Sequence, residues 1–78
     1  MREVVFEKTF LVGRNAMRVS MVTFNANERI DMRMMFYDPA IDKLVPTRKG
    51  VNFTPALLPG IIEMLRQLHM LSGNRDED

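Results

Sequence analysis

The 78-residue sequence contains no cysteine and no tryptophan, and it has a single histidine, His69. Without cysteine the chain cannot be a disulfide-stapled scaffold, and a lone histidine cannot make a metal site. Chains this short bury a small fraction of their surface and usually need a disulfide, a metal or a partner subunit for stability. Self-association is therefore the leading expectation. The lack of cysteine also fits a reducing, intracellular compartment.

Long apolar runs are missing as well. No segment approaches the roughly 20 apolar residues that a membrane-spanning helix requires, and the beginning of the chain, with Glu3, Glu7 and Lys8, lacks a signal-peptide core. We expect a soluble, unprocessed protein that does not associate with membranes. A glycine-rich phosphate loop is also absent, and Ser20 and Ser72 have no evident base, so we expect neither an enzyme nor a cofactor.

Charge is nearly balanced overall but uneven along the chain. The formal net charge is +1, which is low for a protein that binds nucleic acid. Residues 1–58 carry nine Lys and Arg against six Asp and Glu, whereas residues 59–78 carry two against four. The basic surplus therefore lies in the first three quarters of the sequence.

Alternating side-chain polarity predicts four strands, at residues 4–12, 18–24, 29–37 and 48–53. The turns that join the first three strands are short, so the strands should be antiparallel. Alternation is lost at residues 34–37, which predicts a bulge or a bend that re-aims Phe36 relative to Arg33. A longer loop is expected from Asp38 through Lys43 to Pro46.

One helix is predicted after the sheet. Thr54 and Pro55 are a helix-start signal, because a hydroxyl can cap the first turn and proline fits the first helical position. Pro59 is unfavourable inside a helix, so we expect a distorted first turn or a restart near it. The Ser-Gly pair at 72–73 predicts the end of the helix and of a single domain, residues 1–73, followed by a polar tail at 74–78.

Two apolar stripes run along the predicted helix. The first contains Leu58, Ile62 and Leu65 together with His69, and it can cover the sheet of its own chain. The second then needs another surface, which predicts a homodimer formed through the helix. A helix lying deep in a monomer core is the alternative. The expected dimer-interface residues are Leu57, Ile61, Met64, Leu68 and Leu71.

An ordered set of residues resembles a known family. The set comprises Phe10-x-x-Gly13, Val19-Ser20-x-x-x-Phe24, Ile30-Asp31-x-Arg33, Asp38-Pro39 and Pro46-x-Arg48-Lys49-Gly50-Val51-x-Phe53, followed by Pro55. With these spacings the chain is similar to the positive-cofactor-four family of transcriptional coactivators. The resemblance implies an α+β fold, with four curved antiparallel strands and one C-terminal helix that dimerises, and binding of single-stranded DNA in grooves on paired sheets.

The resemblance also implies which residues contact the nucleic acid. Phe24 and Phe36 correspond to the family's stacking aromatics, and Arg33 corresponds to its strand arginine. Arg18 shares a predicted strand face with Phe24, and Asn27 can donate a neutral hydrogen bond. The expected nucleic-acid-binding residues are Arg14, Arg18, Phe24, Asn27, Arg33, Phe36, Arg48 and Lys49.

The sequence departs from the family pattern at two places. The hairpin at residues 25–27 is neutral where lysines are common, and Val22 occupies a position where a basic residue is common. A plot of the logarithm of the binding constant against the logarithm of the salt concentration has a negative slope. Each lost phosphate contact should make that slope shallower by on the order of one. These departures favour a rival interpretation, a protein-interaction module of the same fold with weakened nucleic-acid affinity.

Each candidate also has a purely structural interpretation. Asp31 lies two residues from Arg33 on the same strand face, so a simple ion pair can account for both. Phe24 can be an edge aromatic and Phe36 a core residue, and the basic pair at 48–49 can be a solvated start of a strand.

The predicted function is binding of single-stranded DNA or RNA without strong sequence preference, in transcription or genome maintenance. The expected partners are single-stranded nucleic acid, a second copy of the chain and a component of the transcription machinery. The expected location is the cytoplasm or nucleoid if the protein is bacterial, and the nucleus if it is eukaryotic.

Overall fold

The computed structural model describes residues 1–75, and it contains the four predicted strands and the predicted helix. In chain order the elements are β1 (Arg2–Val12), β2 (Asn15–Phe24), β3 (Asn27–Asp38), β4 (Lys43–Phe53), a 3₁₀ turn (Pro55–Leu57) and α1 (Leu58–Arg75). The strands form one open antiparallel sheet in the order β1-β2-β3-β4. The α+β fold class is therefore confirmed. Residues 76–78 of the predicted polar tail lie outside the described residues.

Two tight turns connect the first three strands, and both use backbone conformations with positive φ. Gly13 has a φ of 60° in the β1–β2 turn. Asn25 and Ala26, between β2 and β3, have φ values of 51° and 68°. Two central residues with positive φ match the right-handed twist of a hairpin. Asparagine tolerates this conformation well, whereas alanine adopts it rarely.

The fourth strand is longer than the sequence indicated. It begins at Lys43 rather than at Arg48, so the expected long loop shrinks to residues 39–42. Pro46 lies within this strand and pairs with Met35. Proline is accommodated because β4 is an edge strand and the pairing becomes irregular next to it.

That irregularity is a bulge, and its position differs from the expected one. Arg33 pairs with Gly50 and Met35 pairs with Pro46, so three residues of β4, numbers 47–49, stand opposite one residue of β3. The extra residues therefore lie on β4, and β3 keeps its regular alternation. Phe36 consequently lies on the face opposite Arg33, and the prediction that a bulge re-aims Phe36 is wrong.

The helix starts in two steps, as the prolines predicted. Pro55 occupies the first position of the 3₁₀ turn, and α1 restarts at Leu58, which leaves Pro59 in its first turn. There the missing N–H has no intrahelical partner to lose. The Thr54 hydroxyl makes no capping hydrogen bond, contrary to the prediction. The backbone carbonyl of Thr54 instead accepts a hydrogen bond from the Leu57 N–H at 3.1 Å. The helix also continues past residues 72–73 to Arg75, because Gly73 keeps a helical conformation.

The interior of one protomer is very small. Only Ala16, Ser20, Ile30 and Phe53 are buried among the described residues. The 3₁₀ turn packs against β3, and Leu58, the first residue of α1, closes an apolar cavity formed with Phe6, Val19, Met21 and Ile30.

Both apolar stripes of the helix stay largely exposed. Ile62 and Leu65 of the first stripe are about as accessible as Met64 and Leu68 of the second. The expectation that one stripe covers the chain's own sheet is therefore wrong. Within residues 1–75, no helix is both long and apolar enough to cross a membrane.

Candidate nucleic-acid interface

The sheet has two faces of opposite character, which the strand register defines. On one face, which we call the arginine face, Arg18 stands opposite Arg33 and Val22 opposite Arg29. On the other, which we call the apolar face, Val19 pairs with Met32, and Met21 with Ile30. Strict alternation along β2 and β3 separates the two sets of side chains.

An open groove of about 610 Å³ lies on the arginine face. We call it the arginine groove. Its charged lining residues are Arg2, Arg18, Arg29, Arg33, Arg48 and Asp31. Five guanidinium groups around one carboxylate give the groove a strong positive potential, although the chain as a whole is nearly neutral.

Asp31 and Arg33 form a bidentate ion pair inside this groove. Arg33 Nη2 donates to Asp31 Oδ1 at 2.7 Å, and Arg33 Nε donates to Asp31 Oδ2 at 3.0 Å. Arg18 Nη2 lies 3.9 Å from Asp31 Oδ2. The hydrogen bonds from Arg33 lower the pKa of Asp31, and they raise the pKa of Arg33. The ion pair predicted from the two-residue spacing is confirmed.

Arg33 and Thr47 together fix the β4 bulge. Arg33 Nη1 donates to the Thr47 carbonyl at 2.9 Å. The Thr47 hydroxyl donates to the Met34 carbonyl at 2.9 Å and accepts from the Lys49 N–H at 3.1 Å. The segment that carries Arg48 and Lys49 is therefore tied to β3 by side-chain hydrogen bonds in place of the interrupted strand ladder.

Gly50 is required by the same arrangement. A Cβ atom at this position would lie 2.5 Å from the Met32 carbonyl oxygen and 2.9 Å from the Arg33 Cα. It would also lie 3.0 Å from Arg33 Cζ, the centre of the guanidinium. The Arg33 side chain therefore crosses the β4 backbone at the one residue that leaves room for it.

Arg18 and Arg29 differ in the hydrogen bonds that they make within the protein. Arg29 Nε donates to Asn52 Oδ1 at 2.7 Å, and Asn52 Nδ2 in turn lies 3.5 Å from Asp31 Oδ1. Arg18 Nε is buried and has no hydrogen-bond partner among residues 1–75. Because this atom is buried, a ligand in the groove can contact Arg18 only through the part of the side chain that remains exposed, which is 22% of its surface.

The structure brings three of the expected nucleic-acid-binding residues, Arg18, Arg33 and Arg48, together in the groove. Phe24 is on the same face, at the end of β2, and 51% of its surface is exposed. Asn27 pairs with Phe24 across the second turn.

The other three expected residues lie apart from the groove. Phe36 is 56% exposed and sits on the apolar face. Arg14 is in the β1–β2 turn, beside a separate cavity, and Lys49 is in the bulge next to Arg48.

Sequence reasoning missed Arg2, Arg29 and Asn52, which also line the groove. The two-residue spacing of Arg29, Asp31 and Arg33 on one strand was a usable signal for Arg29. No such signal exists for Arg2 or Asn52, because their positions depend on the pairing register of the edge strands.

Comparison with known proteins gives a match at the level of the family. The model of the family described as "Transcriptional Coactivator p15 (PC4)" matches residues 13–64, which span β2, β3, β4 and the first part of α1. Neither the curated proteins nor the solved structures contain a match to this chain.

Proposed function

The chain belongs to the transcriptional coactivator p15 (PC4) family, and on this basis we propose that it binds single-stranded nucleic acid in the arginine groove, as a homodimer and without catalysis. The proposed role is in transcription or genome maintenance, together with a component of the transcription machinery. A nucleic-acid ligand implies an intracellular location.

The observation that carries this proposal is the cluster of five arginines along one face of the sheet. A polyanionic strand can follow such a groove with its phosphates on the guanidinium groups, and it releases counterions as it binds. Asp31 neutralises only part of the charge and holds Arg33 in a fixed position. Arg18, Arg48 and the bulge residue Lys49 supply the proposed phosphate contacts.

Preference for a single strand follows from Phe24. Its ring is half exposed on the arginine face, where an unpaired base can stack on it. Asn27, its cross-strand neighbour, can donate a hydrogen bond to the same nucleotide. Phe36 is on the apolar face, so its proposed stacking role requires a strand that also passes over that face.

The proposed dimer rests on two unpartnered apolar surfaces. Leu57 in the 3₁₀ turn is exposed, as are Met64, Leu68 and Leu71 on α1, and Ile61 is half-buried. The apolar face exposes Phe6 and Phe10 to a similar degree. A second protomer can cover both surfaces, which supplies the burial that one chain of this size lacks.

Fluorescence anisotropy with labelled single-stranded and duplex oligonucleotides of equal length, at two salt concentrations, tests the proposal. We expect the single strand to bind more tightly than the duplex. Arg48→Ala should weaken binding. It should also make the slope of the logarithm of the binding constant against the logarithm of the salt concentration shallower by about 0.7, the value for one phosphate contact on a single strand. Arg66→Ala is the matched control, because Arg66 is an exposed helix residue whose ion pair is with Glu63.

Equal affinity for both nucleic acids with a steep salt dependence would contradict the stacking role of Phe24. A second candidate function, a protein-interaction module, is favoured by Val22, which lines the groove where a cation would be expected, and by the neutral turn at residues 25–27. Absence of binding to either oligonucleotide at low salt would support that module and reject the proposed function.

A further inference from the structure

A second cavity, of about 430 Å³, opens on the arginine face near the β1–β2 turn. Its walls are mainly apolar, in contrast to the charged groove. The residues that line it are Leu11, Gly13, Arg14, Ala16, Met35, Tyr37 and Leu44. We call it the tyrosine cavity. Arg14, at the turn, is the only charged side chain among these residues.

The side chain of Tyr37 is fixed by a residue that does not line the cavity. Tyr37 Oη donates a hydrogen bond to Asp42 Oδ1, in the short loop between β3 and β4. Half of the Tyr37 surface remains exposed. The hydroxyl is therefore anchored while the ring stays accessible, which lowers the conformational entropy lost when a flat ligand packs against it.

The tyrosine cavity continues the arginine groove along the strands. Ala16 and Met35 form the next cross-strand pair on the arginine face after Arg18 and Arg33. The step between two same-face pairs is two residues, or roughly 7 Å along a strand. A polymer with a phosphate on Arg18 therefore reaches this cavity within a short length of its chain.

We propose that the tyrosine cavity is a base-binding subsite, which receives an unpaired nucleobase of the strand held in the arginine groove. This inference rests on the proposed function. An apolar pocket with one accessible aromatic ring fits the faces of a planar heterocycle, and any base can occupy it because every base has a π-face. Arg14 at the turn is positioned to take the adjoining phosphate.

The amino-acid composition makes this subsite directly observable. Tyr37 is the only tyrosine of the chain, and the chain has no tryptophan, so the intrinsic emission near 300 nm reports on this cavity alone. Titration with an unlabelled thymidine dodecamer should quench that emission. The quenching should saturate at the same concentration as the anisotropy of the labelled dodecamer. Free N-acetyltyrosinamide, titrated in parallel, corrects for light absorbed by the oligonucleotide.

A pair of variants separates the ring from the hydroxyl. Tyr37→Leu should reduce the affinity for the dodecamer by roughly tenfold, the effect of losing one stacked base. Tyr37→Phe should bind within about threefold of the wild type, because the stacking surface remains. Circular dichroism of both variants establishes that they fold, so a change in affinity is not a loss of structure.

The outcomes distinguish the subsite from the function on which it rests. Anisotropy that rises while tyrosine emission stays constant would overturn the subsite and leave the arginine groove as the binding site. A dodecamer that does not bind at all would reject both. Emission that changes with protein concentration alone would show that a second copy of the chain fills the cavity, which also overturns the subsite.

Discussion

Asp31 decides the electrostatics of the candidate site because it stands between two arginines on neighbouring strands. Arg18 and Arg33 are cross-strand partners, and like charges in that position destabilise a sheet. The carboxylate contacts both of them. Because Arg33 holds the pKa of Asp31 below its usual value, Asp31 is ionised at neutral pH, and its negative charge offsets the positive charges of the two arginines.

Replacement of Asp31 by asparagine tests this role. Asp31→Asn should lower the free energy of unfolding by roughly 1–3 kcal/mol at pH 7, the range for a hydrogen bond to a charged group. The pKa of Asp31 is lower in the folded state, so its contribution is present above about pH 4 and is lost as the pH falls through the lowered pKa. Urea denaturation of both proteins between pH 7 and pH 3 should show their difference shrinking. A difference that stays constant over this range would contradict the assignment.

Gly50 supports a second prediction about a single residue. Gly50→Ala should destabilise the protein by about 1–3 kcal/mol, because the added methyl group overlaps the Met32 carbonyl and the Arg33 backbone. Gly73→Ala is the control, since nothing lies within 4 Å of a Cβ at this helical position. There the same change should raise stability by up to about 1 kcal/mol. If thermal denaturation showed that the two substitutions change stability equally, the structure around Gly50 would accommodate the methyl group without loss of stability, and the prediction would be wrong.

Among the secondary-structure elements, β4 has the greatest influence on the candidate site, because its bulge presents Arg48 and Lys49. The Thr47 hydroxyl makes two of the hydrogen bonds that hold the bulge. Thr47→Val keeps the shape of the side chain but removes both bonds. We expect oligonucleotide affinity to fall about threefold to tenfold, with a loss of stability of about 1 kcal/mol.

A matched control for this change is available at Thr54. Its hydroxyl makes no helix-capping hydrogen bond, so Thr54→Val should leave both affinity and stability nearly unchanged. Fluorescence anisotropy and urea denaturation measure the two effects. If Thr47→Val reduced stability but not affinity, the bulge would not position the proposed phosphate contacts.

The elements differ in how far the sequence could predict them. The alternation of β2 and of most of β3 was clear, because one face of each is apolar and the other polar. The first half of β4 was missed because Pro46 argues against a strand, and only its edge position and the neighbouring bulge accommodate it. The run Met34–Tyr37 suggested that alternation was lost, because the residues on both faces of this part of β3 are apolar. Met35 and Tyr37 lie on the arginine face, but they line the tyrosine cavity, which is an apolar part of that face.

The candidate site was harder to predict than the fold. Arg18, Arg33 and Arg48 were found, two of them through the family resemblance, and they do share a groove. Arg2 was missed because its position depends on an irregularity in β1, where the register shifts between Val4 and Phe6. Such a shift changes which side chains are paired across strands, and the residue pattern of β1 gives no signal that predicts it.

For the whole molecule, the decisive feature is how little of one protomer is buried. A chain that leaves a helix and a sheet face uncovered should be stable only as an assembly. We expect the melting temperature to rise with protein concentration, and sedimentation velocity at high micromolar concentration to show a dimer. A monomer under those conditions would contradict the proposed assembly.

Leu68 provides the corresponding variant. Leu68→Glu places a charge in the proposed interface, where burying it without a partner costs several kcal/mol, so the variant should be monomeric or unfolded at micromolar concentration. Met70→Glu is the control, because it adds the same charge at an exposed position outside both apolar stripes. Sedimentation velocity and circular dichroism of the two proteins should therefore differ. Identical behaviour would place the interface elsewhere.

The strand order also has a consequence for the time course of folding. Every strand pairs with its neighbour along the chain, so the hairpins need only short loops to close and should form rapidly, at a rate independent of dilution. The uncovered apolar surfaces can be buried only when two chains collide. Stopped-flow refolding should therefore show a second phase whose half-time halves each time the protein concentration is doubled. Newly made chains would then reach the native state faster where several are synthesised close together.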